Sequence, residues 1–240
     1  MNSYSHETYG ERVAGVYDEM YSELNPHAVD ALAELAGKGP ALELGIGTGR
    51  IALPLTEKNV EVHGVDASAS MIEKLRAKPG GDRITITEGN FAEVPVEGKF
   101  PLIYIVFNTF FMLGSQAEQV QCFRSVAEHL APGGCFVMEA FVPDVTRFSG
   151  GQVNWATKIT SEEVLLDVGK HDVATQRVVS QKIVITEGNI RMYPAEMRYA
   201  YPPELDLMAQ LAGLRLRERW SNWKRESFTS ESGQHISIYE

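Results

Sequence analysis

Ala41-Leu42-Glu43-Leu44-Gly45-Ile46-Gly47-Thr48-Gly49-Arg50 decides the architecture. A short apolar run ends at three alternating glycines, and helix-forming residues follow over Gly49 to Lys58. Glycine lets the backbone turn sharply there and lets a ligand approach the main chain closely. The same strand-to-helix unit then repeats. Val60 to Val65 reads as a strand ended by Asp66, and Ala69 to Ala77 as a helix. Ile84 to Thr87, Leu102 to Phe107 and Cys135 to Phe141 read as further strands. The unbroken apolar run of the second suits a strand covered on both faces. Glu118 to Leu130 is a helix stopped by Pro132-Gly133-Gly134. This alternation predicts an α/β fold: a doubly wound, Rossmann-like, seven-stranded and mostly parallel sheet.

The flanks read differently. Upstream, residues 8–24 predict one helix, with Tyr9, Val13, Tyr17 and Tyr21 in a stripe. Pro26 to Leu35 predicts a second, ended by Gly37 and Gly39. Downstream of Pro143 the helical period is lost. Val164 to Leu166, Arg177 to Thr186 and Ile190 to Tyr201 predict a late antiparallel β insert, with a hairpin turn at Glu187-Gly188-Asn189. Pro203 to Ala212 is a helix, and Leu214 to Trp220 and His235 to Tyr239 form a closing strand pair. The reading is one domain over 1–240: a helical lid (1–37), a ligand-binding core (38–143), a substrate-side insert (150–201) and a closing segment (202–240). The insert is expected over the carboxyl ends of the parallel strands, where ligands bind in such folds.

The 240 residues carry 22 Lys+Arg against 32 Asp+Glu, a formal charge of −10. That balance argues against a nucleic-acid partner, whose phosphates attract basic proteins. Cys122 and Cys135 are too few for a disulfide framework and fit a reducing compartment such as the cytoplasm. The opening MNSYSHETYGERVAG has no apolar core flanked by basic residues, so no signal peptide is expected. No run of about 18 apolar residues marks a membrane span. No metal site is expected.

Asp66 lies about 20 residues beyond the glycine turn, where an acid can accept hydrogen bonds from ribose hydroxyls. It could instead cap the following helix. A Gly-x-Gly-x-Gly turn alone also fits a nicotinamide-dependent oxidoreductase or a turn without ligand. Dinucleotide binders, however, usually need Gly-x-Gly-x-x-Gly so that pyrophosphate meets a helix N-terminus, and here the third glycine comes one residue early.

Taken together, ALELGIGTGR, VHGVDAS with SMIEKL behind it, EGNFAEVP, IVFNTF and LAPGGCFVME resemble the ordered motif set of the class I S-adenosylmethionine (SAM)-dependent methyltransferases over roughly residues 38–141. The resemblance implies SAM as cofactor and S-adenosylhomocysteine (SAH) as product. It implies that Glu43, Gly45, Gly47 and Gly49 line the methionine part and that Asp66 holds the ribose. Ala67 and Met71 then pack on the adenine, Asn90 hydrogen-bonds its amino group, and Phe91 stacks or packs beside it. Asn90 stands where the family more often has Asp. Met71 and Phe91 also fit plain core packing. Phe107 and Asn108 fall where family members place groups near the transferable methyl. Tyr17 and Tyr21 resemble a lid helix of the small-molecule members, poised to close over SAM.

The implied activity is methyl transfer to N, O or C of a metabolite, by positioning. A non-catalytic SAM-binding regulatory protein is the alternative outside the enzymes. The segment Phe107-Asn108-Thr109-Phe110 lacks the Asn/Asp-Pro-Pro-Tyr/Phe motif of nucleic-acid methylation. Phe110, Phe111, Met112, Trp155, Trp220 and Trp223 suggest a flat or partly apolar substrate, such as an aromatic one, and the resemblance of the lid to members that methylate amino sugars or amines implies an amine-bearing one. On the strand 190–201, Met192, Glu196 and Arg198 share one face and Tyr193, Met197, Tyr199 and Tyr201 the other. Arg198 could pair with a substrate carboxylate or form a surface ion pair. No histidine is assigned to catalysis: His129 reads as structural, His63 as a buried strand residue, His171 as a turn residue, and His6 as part of an arm over the site. The insert faces a ligand or, in a homodimer, a second copy.

Overall fold

The computed structural model describes residues 4–5 and 7–240, so His6 lies outside the described residues. The central sheet is built of β1 (Ala41–Leu44), β2 (Val62–Asp66), β3 (Thr85–Glu88), β4 (Phe100–Ile105), β5 (Leu130–Phe141), β10 (Leu216–Trp220) and β11 (Gln234–Tyr239). Its order is β10-β11-β5-β4-β1-β2-β3, and β11 alone runs against its neighbours. The remaining strands, β6 (Gln152–Ile159), β7 (Glu163–Asp172), β8 (Arg177–Thr186) and β9 (Asn189–Arg198), form a separate antiparallel sheet.

Helices cover the central sheet on both faces. α3 (Pro26–Ala36), α4 (Ala52–Glu57) and α5 (Ala69–Arg76) contribute Leu32, Leu55 and Leu75 to one core. α6 (Gln116–His129) and α7 (Pro202–Leu211) contribute Phe123, Val126, Leu205 and Met208 to the other. The apolar run of β4 explains both: Ile103 and Ile105 enter one core, Leu102 and Tyr104 the other. Phe123 meets Phe110, Phe136 and Tyr239 edge-on with centroids 5.4–5.5 Å apart, a favoured aromatic geometry.

Several elements depart from the sequence reading. The single helix over 8–24 is broken into α1 (Thr8–Val13) and α2 (Tyr17–Met20). In an unbroken helix Tyr9 and Tyr21 would stand about 18 Å apart along the axis. The break lets their hydroxyls meet at 3.3 Å. β6 escapes the alternation test because it is an edge strand whose side chains, Val153 apart, are exposed. α6 ends at His129, before Pro132, because the chain already pairs with β4 from Leu130 onward.

Candidate functional site

Strand order reverses between β1 and β4, so the chain diverges after Leu44 and after Ile105 and leaves a crevice at their carboxyl ends. Sheet β6–β9 and the lid roof this crevice over a cavity of about 610 Å³. Gly45, Gly47, Asp66, Ala67, Met71, Asn90, Phe91, Phe107 and Asn108 lie on its floor and walls, and Tyr17 and Tyr21 on its lid.

The glycine turn is held by geometry that only glycine tolerates. Gly45 has φ +71, and a Cβ there would come within 2.4 Å of Thr109. Asp66 braces the turn. One carboxylate oxygen accepts from Gly47 N–H at 2.7 Å and the other from Ser68 N–H at 2.9 Å. Burial pushes its carboxyl above the ordinary range, against these backbone hydrogen bonds. Asn90 is likewise fixed, its carbonyl oxygen accepting from Ala92 N–H at 2.9 Å with one lone pair to spare.

Phe107 and Asn108 both have positive φ, 59 and 65, an uncommon conformation for such residues that the surroundings must enforce. They do so through Glu139, which accepts from Phe107 N–H at 2.9 Å and from the Trp223 indole at 2.8 Å. Asn108 in turn accepts from Phe141 N–H at 2.7 Å. The tip of β4 is thus presented rigidly to the cavity.

The lid is tied to the same turn. Asp18 accepts from the Thr48 hydroxyl at 2.6 Å and pairs with Lys78 at 2.7 Å. Glu11 accepts from Ser68 and Ser70 at the start of α5. These contacts set Tyr17 against Tyr21 at 4.9 Å and Tyr21 edge-on to Phe107 at 5.0 Å. Arg50 lies over the same Phe107 ring, its guanidinium 4.0 Å from the centroid. It is a cation next to the glycine turn, quoted within the motif above but given no role there. Lys182 of β8 reaches the Tyr21 hydroxyl at 3.4 Å and joins lid to insert.

Other candidates fall elsewhere. Glu43 does not reach the wall: it is buried behind the glycine turn, accepting from the Tyr104 hydroxyl at 2.9 Å. Gly49 packs α5 instead, since a Cβ would meet Leu75 at 2.9 Å. Phe110 and Phe111 are core residues, whereas Met112 lines the cavity. Trp220 and Trp223 are buried in the opposite core, and Trp155 lies on the surface under Arg147. Arg198 points away from the cavity into a buried polar cluster. His63 is partly exposed and pairs with Glu61, while His129 bonds the carbonyls of Ser125 and Val96. His171 is a strand residue of β7, not a turn residue, and its imidazole meets Tyr199.

Burial pushes the Glu43 carboxyl up to about 8, against the Tyr104 hydrogen bond and the nearby Arg50. A raised native pKa means the folded state binds the proton more tightly than the unfolded chain. The stability contributed is therefore complete below about 4.5 and lost as pH climbs to about 8. We expect Glu43→Gln to flatten this part of the thermal-midpoint profile and to raise the midpoint at the alkaline end. Identical profiles for variant and wild type would contradict it.

The comparisons with known proteins agree with this geometry. A family model described as "Methyltransferase domain" matches residues 41–134. The chain is 27% identical over 238 residues to the cypemycin N-terminal methyltransferase of Streptomyces sp, covering 97% of each chain. It is 41% identical to the CcbJ methyltransferase from Streptomyces caelestis, with a TM-score of 0.93 over 99% of both chains. SAM-bound CalS10, an amino pentose methyltransferase from Micromonospora echinaspora, shares the fold at 19% identity and a TM-score of 0.66, covering 99% of this chain and 98% of that one. The chain belongs to the class I SAM-dependent methyltransferases, and its relatives are of the natural-product type. It is an enzyme that uses SAM as methyl donor. The cavity has room and chemistry for that cofactor: the Asp66 carboxylate at the end of β2, the apolar side chains of Met71 and Phe91, and an open backbone at Gly47, where a Cβ would meet nothing within 4 Å. Among the described residues, no helix is long and apolar enough to cross a membrane.

Proposed function

We propose that this enzyme N-methylates an amine carried by a small natural product. One observation carries the reading. Asp167 of β7 lies on the wall of a largely apolar cavity, without a hydrogen-bond or ion-pair partner among the described residues. Asp167 is in register with Lys182, yet that ammonium turns to Tyr21 instead. An unpaired carboxylate in such a wall favours a ligand that donates N–H groups or carries positive charge. The similar cypemycin enzyme is named for methylating an N-terminus, which supports the same acceptor atom.

The sulfonium of SAM supplies an activated methyl, so the chain has to bind, orient and keep out water. Asp66 takes the ribose hydroxyls, Asn90 and Phe91 the adenine, and Arg50 with Tyr17 the methionine carboxylate. Phe107 and Asn108, at the tip of β4, shape the wall beside the methyl. Asp167 orients the amine. The lid, pinned by Asp18 and Glu11, closes the crevice.

The test is transfer of labelled methyl to an alanyl tetrapeptide, L-proline amide, a methyl aminoglycoside and, as an oxygen acceptor, catechol. Label on nitrogen is expected. Asp167→Asn should raise KM for the amine about tenfold or more, the loss of one charge-assisted hydrogen bond, with SAH affinity unchanged. Label on catechol alone would overturn the reading.

A further inference from the structure

We propose that Tyr199 is a catalytic residue that takes the proton of the nucleophile, and that His171 is the positioning residue that lets it do so. The substrate side of this inference rests on the amine reading above; its geometry rests on the insert alone.

Tyr199 follows β9 directly and its buried ring lies on the cavity wall. His171 comes from β7, two strands away. The register His171–Val178–Met197 puts it on the sheet face that lines the cavity. Its Nε2 stands 2.8 Å from the Tyr199 hydroxyl. Phe148, another wall residue, stacks on the imidazole with centroids 4.4 Å apart and 29° between planes. Strand, stacking and hydrogen bond together fix one phenolic oxygen at the wall.

The partner distinguishes this tyrosine from the structural ones. Tyr104 and Tyr239 face the cores and donate to Glu43 and Asp206. Tyr199 faces the cavity and meets an imidazole, which can accept a proton on one ring nitrogen and release one from the other. β9, which leads into Tyr199, also packs on the Thr109–Met112 turn that follows the tip of β4.

The proton balance is simple. As the amine lone pair forms the new N–C bond and the S–C bond breaks, the nitrogen holds one proton too many. That proton passes to the Tyr199 oxygen while the Tyr199 proton passes to His171 Nε2. The imidazolium then releases it to water, since His171 is only partly buried. The route requires Nε2 to be unprotonated in the resting enzyme, with the ring proton on Nδ1. Tyr201, Arg198, Glu204 and Asp172 act electrostatically on Tyr199, and Arg147 lies across the Phe148 ring.

Two readouts test the pair. Multiple-bond proton–nitrogen spectra of the imidazoles, with His171→Gln for assignment, should show Nε2 of His171 unprotonated at neutral pH and shifted in Tyr199→Phe. A proton on Nε2 would overturn the route without any substrate. In the amine assay, Tyr199→Phe should lower kcat about 100-fold, within the range for a lost acid–base group, while SAH affinity stays unchanged. His171→Gln, which still hydrogen-bonds the phenol but cannot take its proton, should lower kcat while KM for the amine and SAH affinity stay unchanged. Full kcat in both variants would overturn the proposal and leave the amine reading standing. No methylated amine from wild type would overturn the amine reading, and the imidazole spectra would still decide the pair.

Discussion

Replacing Asp66 with alanine should weaken SAH binding at least 100-fold, about 3 kcal/mol, by isothermal titration. Two effects combine. The ribose loses a carboxylate acceptor, and hydrogen bonds to an ionised group contribute about 1.5–3 kcal/mol each. The glycine turn also loses its brace, because Gly47 N–H and Ser68 N–H both depend on this side chain. Asparagine should rescue little, since its amide N–H₂ would oppose one of two backbone donors. SAH affinity should also fall on acidification, because ribose hydroxyls donate to the ionised form and burial raises the Asp66 pKa. NAD(H) should bind neither protein, given the early third glycine. Undiminished SAH affinity in Asp66→Ala would remove the carboxylate from the cofactor site and leave it a purely structural brace.

The parts of the fold that were legible are those where burial is symmetric and local. β1 and β4 are largely buried on both faces and read as mostly apolar runs, and the glycine turn after β1 and Asp66 at the end of β2 follow at fixed spacing. What escaped depends on partners distant in the chain. β6 is stabilised by pairing with β7 rather than by burial, so its sequence carries little period. The lid break depends on contacts of Asp18 and Glu11 with the glycine turn and α5. Glu43 and Gly49 sit inside the cofactor motif but serve what lies behind it, and a motif does not say which way its residues face. His171 and Tyr199 are 28 residues apart and meet only because two hairpins set their register. The face assignment on β9 was legible for Tyr193, Met197 and Tyr199, which line the cavity, but not for Tyr201, which lies past the end of the strand at the start of α7. The opposite face was not, because α6 and α7 cover the end of it that carries Arg198.

That covering makes Arg198→Met the other large expected effect, and the effect is on stability. Arg198 is 5% exposed. Its guanidinium donates to Gln119, to Gln176 at 2.8 Å and to Glu204 at 2.7 Å, while Gln119 donates back to the Arg198 carbonyl at 2.7 Å. The cluster joins β9 to α6 and α7. Methionine fills much of the space but leaves Glu204 as a partly buried charge without its cation. Breaking such a pair costs about 3–5 kcal/mol. For a chain of this length that lowers the thermal midpoint by roughly 6–20 °C. The pH dependence should change too. Burial alone would raise the Glu204 carboxyl, but Arg198, Gln176 and Gln116 hold it below its ordinary value. A depressed native pKa contributes stability above the unfolded value and loses it as pH falls through the native one. Wild type should therefore lose more stability than Arg198→Met on acidification, and the two midpoints should converge. Adding Glu204→Leu should recover part of the loss at neutral pH by removing the stranded charge. Methyl transfer per folded molecule should fall far less than in Tyr199→Phe, because the guanidinium faces away from the cavity and reaches Tyr199 only electrostatically. An Arg198→Met enzyme of normal midpoint and much-reduced turnover would instead place the arginine on the substrate.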